Sequence, residues 1–249
     1  MAKGRRLDQE MTARGLAPSR SKAQALILAG LVTVGGAPAA KAGQPVDSHA
    51  DIEVTQPEHP YVSRGGVKLA GALDHFGLAV EGLICLDVGA STGGFTDCLL
   101  QRGAASVCAV DVGYGQMAWK LRQDPRVTLI ERTNARHLPD DVAPGPFGLI
   151  VVDVSFISLT LVLPRLAPRL GPGGWLLPMV KPQFEAGREA VGAGGVVRDP
   201  ADQQAAVDKV SACLGDLGLA VLGVAASPIQ GPKGNQEHFV LARKPGAGE

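Results

Sequence analysis

The strongest constraint on the fold is an alternation, from residue 84 onward, of short apolar runs with segments of helical periodicity. These patterns predict strands at 84–88, 106–111, 127–131, 149–152, 174–179, 219–225 and 237–243, and helices at 94–102, 118–122, 159–170 and 200–217. Strands that are apolar nearly throughout are typical of a parallel sheet with helices on both faces. We therefore expect an α/β fold with a mostly parallel, doubly wound, Rossmann-like sheet, which binds ligands at the carboxyl ends of its strands.

The first 58 residues show a different pattern, which predicts a small α+β domain. Helices are expected at 6–14 and 21–29, and short strands at 31–34 and 51–54. Residues 59–67 are punctuated by proline and glycine and are expected to form a linker. The predicted organisation is a domain at 1–58, a linker at 59–67 and a larger domain at 68–249.

The charge of the chain is unevenly distributed. The net charge is zero, which argues against a strongly electrostatic partner for the chain as a whole. Within residues 1–45, however, only Asp8 and Glu10 are acidic, whereas seven side chains are basic, namely Lys3, Arg5, Arg6, Arg14, Arg20, Lys22 and Lys41. Such an excess is typical of a nucleic-acid-binding surface, although a solvated face of a small domain explains the charge alone equally well.

The four cysteines do not have the spacing of metal ligands, so no metal site is expected. Free thiols suit the reducing cytoplasm. The basic start of the chain is not followed by the apolar stretch of a signal peptide, and no apolar run is long enough to span a bilayer. These features predict a soluble, cytoplasmic protein without a membrane partner.

Three short motifs of the N-terminal segment resemble the S-four domain, an RNA-binding domain named after a small-subunit ribosomal protein. They are Arg6-Leu7-Asp8, Ser19-Arg20-Ser21-Lys22-Ala23 and Gly30-Leu31-Val32-Thr33-Val34-Gly35-Gly36. The resemblance implies contacts with RNA. The candidate RNA-binding residues are Arg5, Arg6, Arg20, Lys22, Lys41 and, in the predicted linker, Arg64.

A glycine-rich loop joins the first strand of the larger domain to its first helix. Its spacing is neither that of a dinucleotide-binding loop nor that of a P-loop. The pattern acidic-x-Gly-x-x-x-Gly-Gly, from Asp87 to Gly94, resembles the S-adenosylmethionine-binding loop of the class I methyltransferases; the alternative is an ordinary strand-to-helix turn. The resemblance predicts cofactor contacts by Asp87, Gly89, Ala90, Ser91, Gly93, Gly94 and Phe95.

Polar residues at the ends of the following strands support a nucleoside site. Asp111 closes the second strand, where a carboxylate can accept hydrogen bonds from ribose hydroxyls and would repel a phosphate. Val112 follows it, and Asn134 and Ala135, after the third strand, are candidates for the adenine site. Because the carboxyl ends of successive strands meet in one crevice, these residues and Asp153 are expected to line a single cofactor site.

Four charged residues are expected at the acceptor end of this crevice: Lys68, Asp153, Lys181 and Glu237. Asp153 and Lys181 directly follow apolar runs, where a charge is costly unless it is paired or used. Methyl transfer from a sulfonium mainly requires that the nucleophile be positioned and deprotonated, and we expect Lys181 to be the base. The structural alternative is a salt-bridged quartet that closes the sheet. Asp153-Val154-Ser155-Phe156 also lacks the Asn/Asp-Pro-Pro-Tyr/Phe motif of base N-methylation.

Six separated blocks resemble the TlyA (hemolysin A) family of bacterial proteins. They cover residues 63–69, 111–116, 131–136, 153–158, 181–185 and 231–237. This family joins an S-four-type domain to an FtsJ/RrmJ-like methyltransferase domain and is associated with 2′-O-methylation of ribosomal RNA. The resemblance implies that Lys68, Asp153, Lys181 and Glu237 are its catalytic tetrad, with Lys181 as the base, S-adenosylmethionine as the cofactor and ribosomal RNA, free or within ribosomal subunits, as the partner.

Three other functions remain to be weighed against this one. Membrane lysis, suggested by the family's other name, lacks an amphipathic or spanning segment in the sequence. A ribosome-binding factor without catalysis does not need the intact tetrad. A small-molecule methyltransferase has no use for a basic N-terminal domain. The sequence leaves open the modified nucleotide, the ribosomal subunit and the oligomeric state.

Overall fold

The computed structural model describes residues 4–28, 30–54, 59–192, 194–231, 234–246 and 248. Parts of the predictions above lie outside the described residues, namely those on Lys3, Ala29, residues 55–58, Pro232 and Lys233. The chain divides into two compact units, Met1–Pro60 and Tyr61–Glu249, called the N-terminal and C-terminal units below. The predicted boundaries at 58 and 67 stay a prediction.

The N-terminal unit packs two helices against short strands. Its described elements are β1 (Arg5–Arg6), α1 (Leu7–Ala13), α2 (Arg20–Leu28), β2 (Val32–Val34), β3 (Ala37–Pro38), β4 (Pro45–Val46) and β5 (Ile52–Val54). Strand β1 pairs with β4, and β2 lies between β3 and β5, all antiparallel. Its core contains Leu7 and Met11 of α1, and Ala23 and Ile27 of α2. The α+β character and both predicted helices are therefore observed.

The C-terminal unit is built on a seven-stranded sheet. Its elements are α3 (Arg64–Phe76), β6 (Ile84–Val88), α4 (Gly94–Gln101), β7 (Ser106–Val110), α5 (Trp119–Arg122), β8 (Val127–Ile130), β9 (Phe147–Val152), α6 (Leu163–Leu166), β10 (Leu170–Val180), α7 (Pro182–Glu185), α8 (Pro200–Asp216), β11 (Ala220–Ala226) and β12 (His238–Arg243). Short 3-10 helices lie at Ala135–His137, Leu159–Leu161, Ala167–Arg169 and Arg188–Ala190.

The strand order of this sheet is β11-β12-β10-β9-β6-β7-β8. The strands from β10 to β8 are parallel, whereas β12 runs antiparallel to both β10 and β11. The chain order reverses between β6 and β9, and such a switch point opens a crevice at the carboxyl ends of the two strands. The doubly wound α/β prediction is confirmed. Most of the predicted site residues directly follow strands of this sheet, at the ends that border the crevice.

Apolar side chains of the strands alternate between the two faces of the sheet. Leu86 and Ile150 belong to the core cluster that includes α8, whereas Cys85 and Leu149 belong to the cluster that includes α3 and α4. This alternation follows from the two-residue period of a strand. Because both faces are covered, polar groups at the strand ends gather at the edge of the sheet.

Two segments differ from the sequence prediction. Helix α3 begins at Arg64, inside the predicted linker. Packing requires the glycine at position 66, because a Cβ there would lie 2.3 Å from Tyr61 Cγ. Gly94, at the start of α4, is required for the same reason, since a Cβ there would lie 2.2 Å from Ser63 Oγ just before α3. The predicted continuous helix at 159–170 is broken into a 3-10 turn, α6 and a second 3-10 turn, since Pro164 and Pro168 interrupt the hydrogen-bond ladder.

Candidate active site

The two acceptor-end residues that follow strands are placed by the topology of the sheet. Asp153 follows β9 and Lys181 follows the neighbouring parallel strand β10, so both lie at the same edge. Strand β12 is antiparallel to β10, with Val180 opposite His238, so Glu237 enters from that edge as well. Lys68 lies in the second turn of α3 and is buried. The four residues come from four different elements.

The tetrad forms two ion pairs. Lys181 Nζ lies 2.6 Å from Asp153 Oδ1 and donates a hydrogen bond of 2.8 Å to Ser155 Oγ. Asp153 Oδ1 accepts no well-directed hydrogen bond from the described residues, so its contact with Lys181 is electrostatic. Lys68 Nζ pairs with Glu237 Oε2. Both lysine side chains are only 10% exposed. An unpaired charge would be costly in such a buried position, and each lysine has a carboxylate neighbour that offsets this cost.

Asp87 is the most buried charged group of the crevice. Its Oδ2 accepts a hydrogen bond of 2.6 Å from Thr96 Oγ1, whereas Oδ1 has no donor among the described residues. The pKa of Asp87 is raised to about 7, mainly by burial and also by the charges of Asp153 and Asp111, against the lowering effect of hydrogen bonding by Thr96. A buried acceptor atom without a donor is suited to a ligand that brings an ammonium or hydroxyl group.

Glycines of the adjoining loop allow close approach of the backbone. Gly89 has a φ of +87°, and a Cβ there would lie 2.3 Å from the carbonyl oxygen of Asp153. Gly93 has a φ of +94°, and a Cβ there would lie 2.3 Å from Leu121. The glycine spacing is thus required by packing of the loop against β9 and α5, in addition to any ligand.

Asp111 holds the loop in place from the neighbouring strand. Its Oδ2 accepts a hydrogen bond of 2.7 Å from the backbone N–H of Ser91, and its Oδ1 accepts one of 2.6 Å from Gly113 N–H. Ser91 is exposed and has a φ of +48°. Each oxygen of a carboxylate has a second lone pair, so Asp111 can still accept hydroxyl groups of a ribose.

Other predicted cofactor residues occupy different environments. Val112 is 71% exposed and Ala90 is buried. Phe95 is buried with its ring 6.1 Å from that of Phe239, so its side chain belongs to the core, and its cofactor contact stays a prediction. Asn134 Oδ1 accepts a hydrogen bond of 3.0 Å from Arg136 N–H and caps a 3-10 helix that starts at Ala135, which is a structural use of the group predicted to contact adenine.

The predicted RNA-binding residues of the N-terminal unit divide into two kinds. Arg6 and Arg20 both donate hydrogen bonds to the buried carboxylate of Asp8, and Arg5 pairs with Glu10. Lys22 and Lys41 are exposed. In the C-terminal unit, Arg64 donates a 2.9 Å hydrogen bond to the carbonyl oxygen of Gln230.

Sequence reasoning missed two aromatic residues next to the tetrad. Phe156 has a φ of +65° and is 91% exposed, and its ring centroid lies 5.1 Å from that of Phe184. They come three residues after Asp153 and Lys181, respectively, and that matching offset is the signal that could have identified them. Exposed aromatic rings can stack on nucleic-acid bases.

The described residues contain neither a group of three potential metal ligands nor a helix long and apolar enough to cross a membrane. The site is therefore made of lysines, carboxylates and a glycine-rich loop at the switch point of an α/β sheet.

Comparison with known proteins defines the class. Residues 61–244 match the family model described as FtsJ-like methyltransferase, and residues 5–52 match the S4 domain. The chain is 51% identical to the 16S/23S rRNA (cytidine-2′-O)-methyltransferase TlyA of Mycobacterium tuberculosis, over 98% of this chain and 91% of that one. It is 42% identical to Hemolysin A of Brachyspira hyodysenteriae, over 95% and 100% of the two chains.

A solved structure from Streptococcus thermophilus, which bears a hemolysin name, aligns with a TM-score of 0.74 and 44% identity, over 98% of this chain and 90% of that one. The chain therefore belongs to the TlyA (hemolysin A) family, in which an S4 domain precedes an FtsJ-like methyltransferase domain.

Proposed function

We propose that this protein transfers a methyl group from S-adenosylmethionine to a ribose 2′-hydroxyl of ribosomal RNA. The observation that carries the proposal is the contact of 2.6 Å between Lys181 Nζ and Asp153 Oδ1 at the switch-point edge of the sheet. A lysine amine, aimed by a carboxylate, thus lies at the strand end that the glycine-rich loop contacts, since Gly89 of that loop approaches the backbone of Asp153. The relative from Mycobacterium tuberculosis is named for this reaction on 16S and 23S rRNA.

The crevice has groups that suit the cofactor. Asp87 Oδ1 is buried without a donor and can accept a hydrogen bond from an ammonium group, and Asp111 can accept ribose hydroxyls. When bound, S-adenosylmethionine supplies a methyl group on a sulfonium, whose leaving thioether is already activated. The chain itself then has to position the hydroxyl and remove its proton.

The tetrad can perform both tasks. In its neutral form, Lys181 Nζ accepts the proton of the 2′-hydroxyl as the oxygen forms its bond to the methyl carbon, and Asp153 orients the amine. The Lys68–Glu237 pair, which is almost fully buried, supplies an ammonium group that can hold the acceptor sugar by hydrogen bonding.

The N-terminal unit and the two aromatic residues that follow Asp153 and Lys181 support RNA as the acceptor. We propose that residues 1–58 anchor the RNA through Arg5, Arg6, Arg20, Lys22 and Lys41, with Arg64 contributing from α3. Phe156 and Phe184 offer stacking surfaces beside the tetrad. The free cysteines suit the reducing cytoplasm, where the protein would meet ribosomal RNA.

The test is incorporation of labelled methyl groups from S-adenosylmethionine into ribosomal RNA, followed by mass mapping of the ribose. Lys181→Ala should lower turnover at least 100-fold, the lower range of general-base effects, and leave cofactor affinity within about threefold. The matched control is Lys244→Ala, since Lys244 Nζ binds the carbonyl oxygen of Leu170 at the opposite end of β10. Methylation of a base, or unchanged turnover in Lys181→Ala, contradicts the proposal.

A further inference from the structure

Glu185, which ends α7, has a buried carboxylate that the methyl-transfer proposal does not use. Its side chain is 1% exposed. Oε1 accepts a hydrogen bond of 2.6 Å from the backbone N–H of Leu159, and Oε2 accepts one of 2.5 Å from Ser158 Oγ. Both donors belong to the segment that follows β9, so the carboxylate joins α7 to a different part of the chain.

That segment, residues 153–159, is called the acceptor loop below. It begins at Asp153, whose carboxylate contacts Lys181 Nζ, and it ends at Leu159, whose N–H is bound by Glu185. Lys181 directly precedes α7, and Glu185 is its last residue. The acceptor loop is therefore fastened to the α7 segment at both of its ends, by one ion pair at the tetrad and by the Glu185 carboxylate at the far end.

Two further contacts make this attachment firm. Between the two ends, the Phe156 ring lies 5.1 Å from Phe184 of α7. Behind α7, Lys209 of α8 donates a hydrogen bond of 2.9 Å to the carbonyl oxygen of Glu185, and its Nζ lies 3.4 Å from Oε2. Hydrogen bonds to a charged acceptor in a buried site are stronger than neutral ones and leave costly orphan donors when the acceptor is removed.

We propose that Glu185 is a positioning residue for the methyl-transfer reaction: its carboxylate holds the acceptor loop against α7 and thereby fixes Asp153 relative to Lys181 Nζ. It acts through Asp153 and has no contact with the substrate. The inference rests on the proposed function for its kinetic consequence, but the loop attachment itself can be measured without activity. A displacement of a reacting group by about 1 Å can lower a rate about 100-fold.

The experiment compares Glu185→Ala with the isosteric Glu185→Gln in the full chain. The alanine variant should lower kcat about 100-fold while the dissociation constant of S-adenosylmethionine changes less than threefold. The glutamine variant should recover kcat to within about tenfold of the unmodified protein, because its amide oxygen can accept from Leu159 N–H and its amide nitrogen can donate to Ser158 Oγ. Glu189→Ala, at an exposed residue four positions beyond the end of α7, is the control and should leave kcat unchanged.

Hydrogen exchange of peptides that cover 153–160 gives a readout independent of catalysis. Glu185→Ala should speed exchange there at least tenfold, and Glu185→Gln should restore most of the protection. If the alanine variant fails to fold, Ser158→Ala is used instead, because it removes one of the two hydrogen bonds that hold the acceptor loop. It should speed exchange and lower kcat, each by a smaller factor than is expected for Glu185→Ala. Unchanged exchange in these variants overturns the inference whatever the activity. Unchanged kcat in an active protein also overturns it, whereas absence of methyl transfer in the unmodified protein contradicts the proposed function alone.

Discussion

The two units each bury one aspartate completely, and the two aspartates are used in opposite ways. Asp8 in the N-terminal unit and Asp87 in the C-terminal unit are both 0% exposed. Asp8 is surrounded by cationic and amide donors from its own unit. Asp87 is bound by one threonine hydroxyl, and its other oxygen has no donor among the described residues.

Asp8 is held by three side chains at once. Arg6 donates through Nε and Nη2, Arg20 through Nε at 2.9 Å, and Gln24 through Nε2 at 2.7 Å. The hydrogen bonds from Arg6 in particular hold the pKa of Asp8 well below its usual range, against the opposing effect of burial. Two arginines therefore share one carboxylate, which fixes their guanidinium groups while leaving about half of each side chain exposed.

Asp87 shows the reverse balance, because burial raises its pKa to about 7 and no cation offsets that effect. The comparison teaches that a buried carboxylate can serve either to arrange cations for an external anion or to keep an acceptor atom free for a ligand. The N-terminal unit follows the first use and the C-terminal unit the second.

The largest effect is expected from Asp87→Asn. Between about pH 4, the ordinary pKa of a carboxyl group, and about pH 7, the folded state keeps a proton on Asp87 that the unfolded state has released. Its contribution to stability is thus complete below pH 4 and is lost as the pH rises to 7, by on the order of 4 kcal/mol. The asparagine variant should lack this pH dependence, and S-adenosylmethionine should bind it at least about tenfold more weakly.

Urea unfolding at several pH values, followed by tryptophan fluorescence, measures this effect in the C-terminal unit. Both tryptophans, Trp119 and Trp175, lie in that unit. The informative quantity is the difference between the variant and the unmodified protein, since other groups titrate in the same range. A difference that stays constant from pH 4 to pH 7 would show that Asp87 is ionised in the fold at all these pH values.

Asp8→Asn should have the next largest effect, in the N-terminal unit. Loss of the charge weakens the hydrogen bonds from Arg6 and Arg20, and we expect a loss of about 2 kcal/mol in the unfolding free energy of that unit. Because the folded pKa of Asp8 is depressed, its contribution is present above the ordinary carboxyl pKa of about 4 and is lost as the pH falls below it. The asparagine variant should be less sensitive to acid.

Hydrogen exchange of peptides from α1 and α2 measures the stability of the N-terminal unit, which has no tryptophan. Tryptophan fluorescence serves as the internal control, since the unfolding of the C-terminal unit should not change. A variant with unaltered exchange in α1 and α2 would mean that the arginines do not depend on Asp8 for their arrangement.

The parts of the fold that follow from periodicity were predictable from the sequence. Strand β6 was predicted with its observed bounds, because an apolar run between a turn and a glycine-rich loop has few other conformations. The location of Asp153 and Lys181 at one edge followed from the same rule, since charged residues directly after parallel strands share an edge. Their pairing, at 2.6 Å, agrees with that placement.

The parts that depend on tertiary contacts were not predictable in this way. Gly65 and Gly66 have the local signature of a turn, yet both lie in α3, and the absence of a side chain on Gly66 lets Tyr61 pack closely. The link between Glu185 and Ser158 spans 27 residues of sequence and has no local pattern. For the same reason, nothing in the charge count indicated that Asp8 organises Arg6 and Arg20.

The smallest expected effect concerns the salt dependence of RNA binding and compares Arg20→Ala with Arg14→Ala. The Arg14 guanidinium is occupied by its own unit, since it donates to Glu10, to the carbonyl oxygen of Ala50 and to those of Asp47 and Ser48. The Arg20 guanidinium is bound to Asp8 through Nε, and its side chain is 51% exposed, so its terminal nitrogens can reach a phosphate. One lost phosphate contact changes the slope of log K against log salt concentration by about 0.9 on duplex DNA and about 0.7 on single strands.

Arg20→Ala should therefore flatten that slope by slightly less than one unit, whereas Arg14→Ala should destabilise the N-terminal unit and leave the slope unchanged. Filter binding of ribosomal RNA fragments between 50 and 200 mM salt, a range over which about six phosphate contacts change affinity roughly 1,000-fold, measures both variants. Equal slopes for Arg20→Ala and the unmodified protein would mean that Asp8 holds Arg20 for the fold alone. In that case Asp8 would serve only the stability of the N-terminal unit, whereas Asp87 would still serve ligand binding in the C-terminal unit.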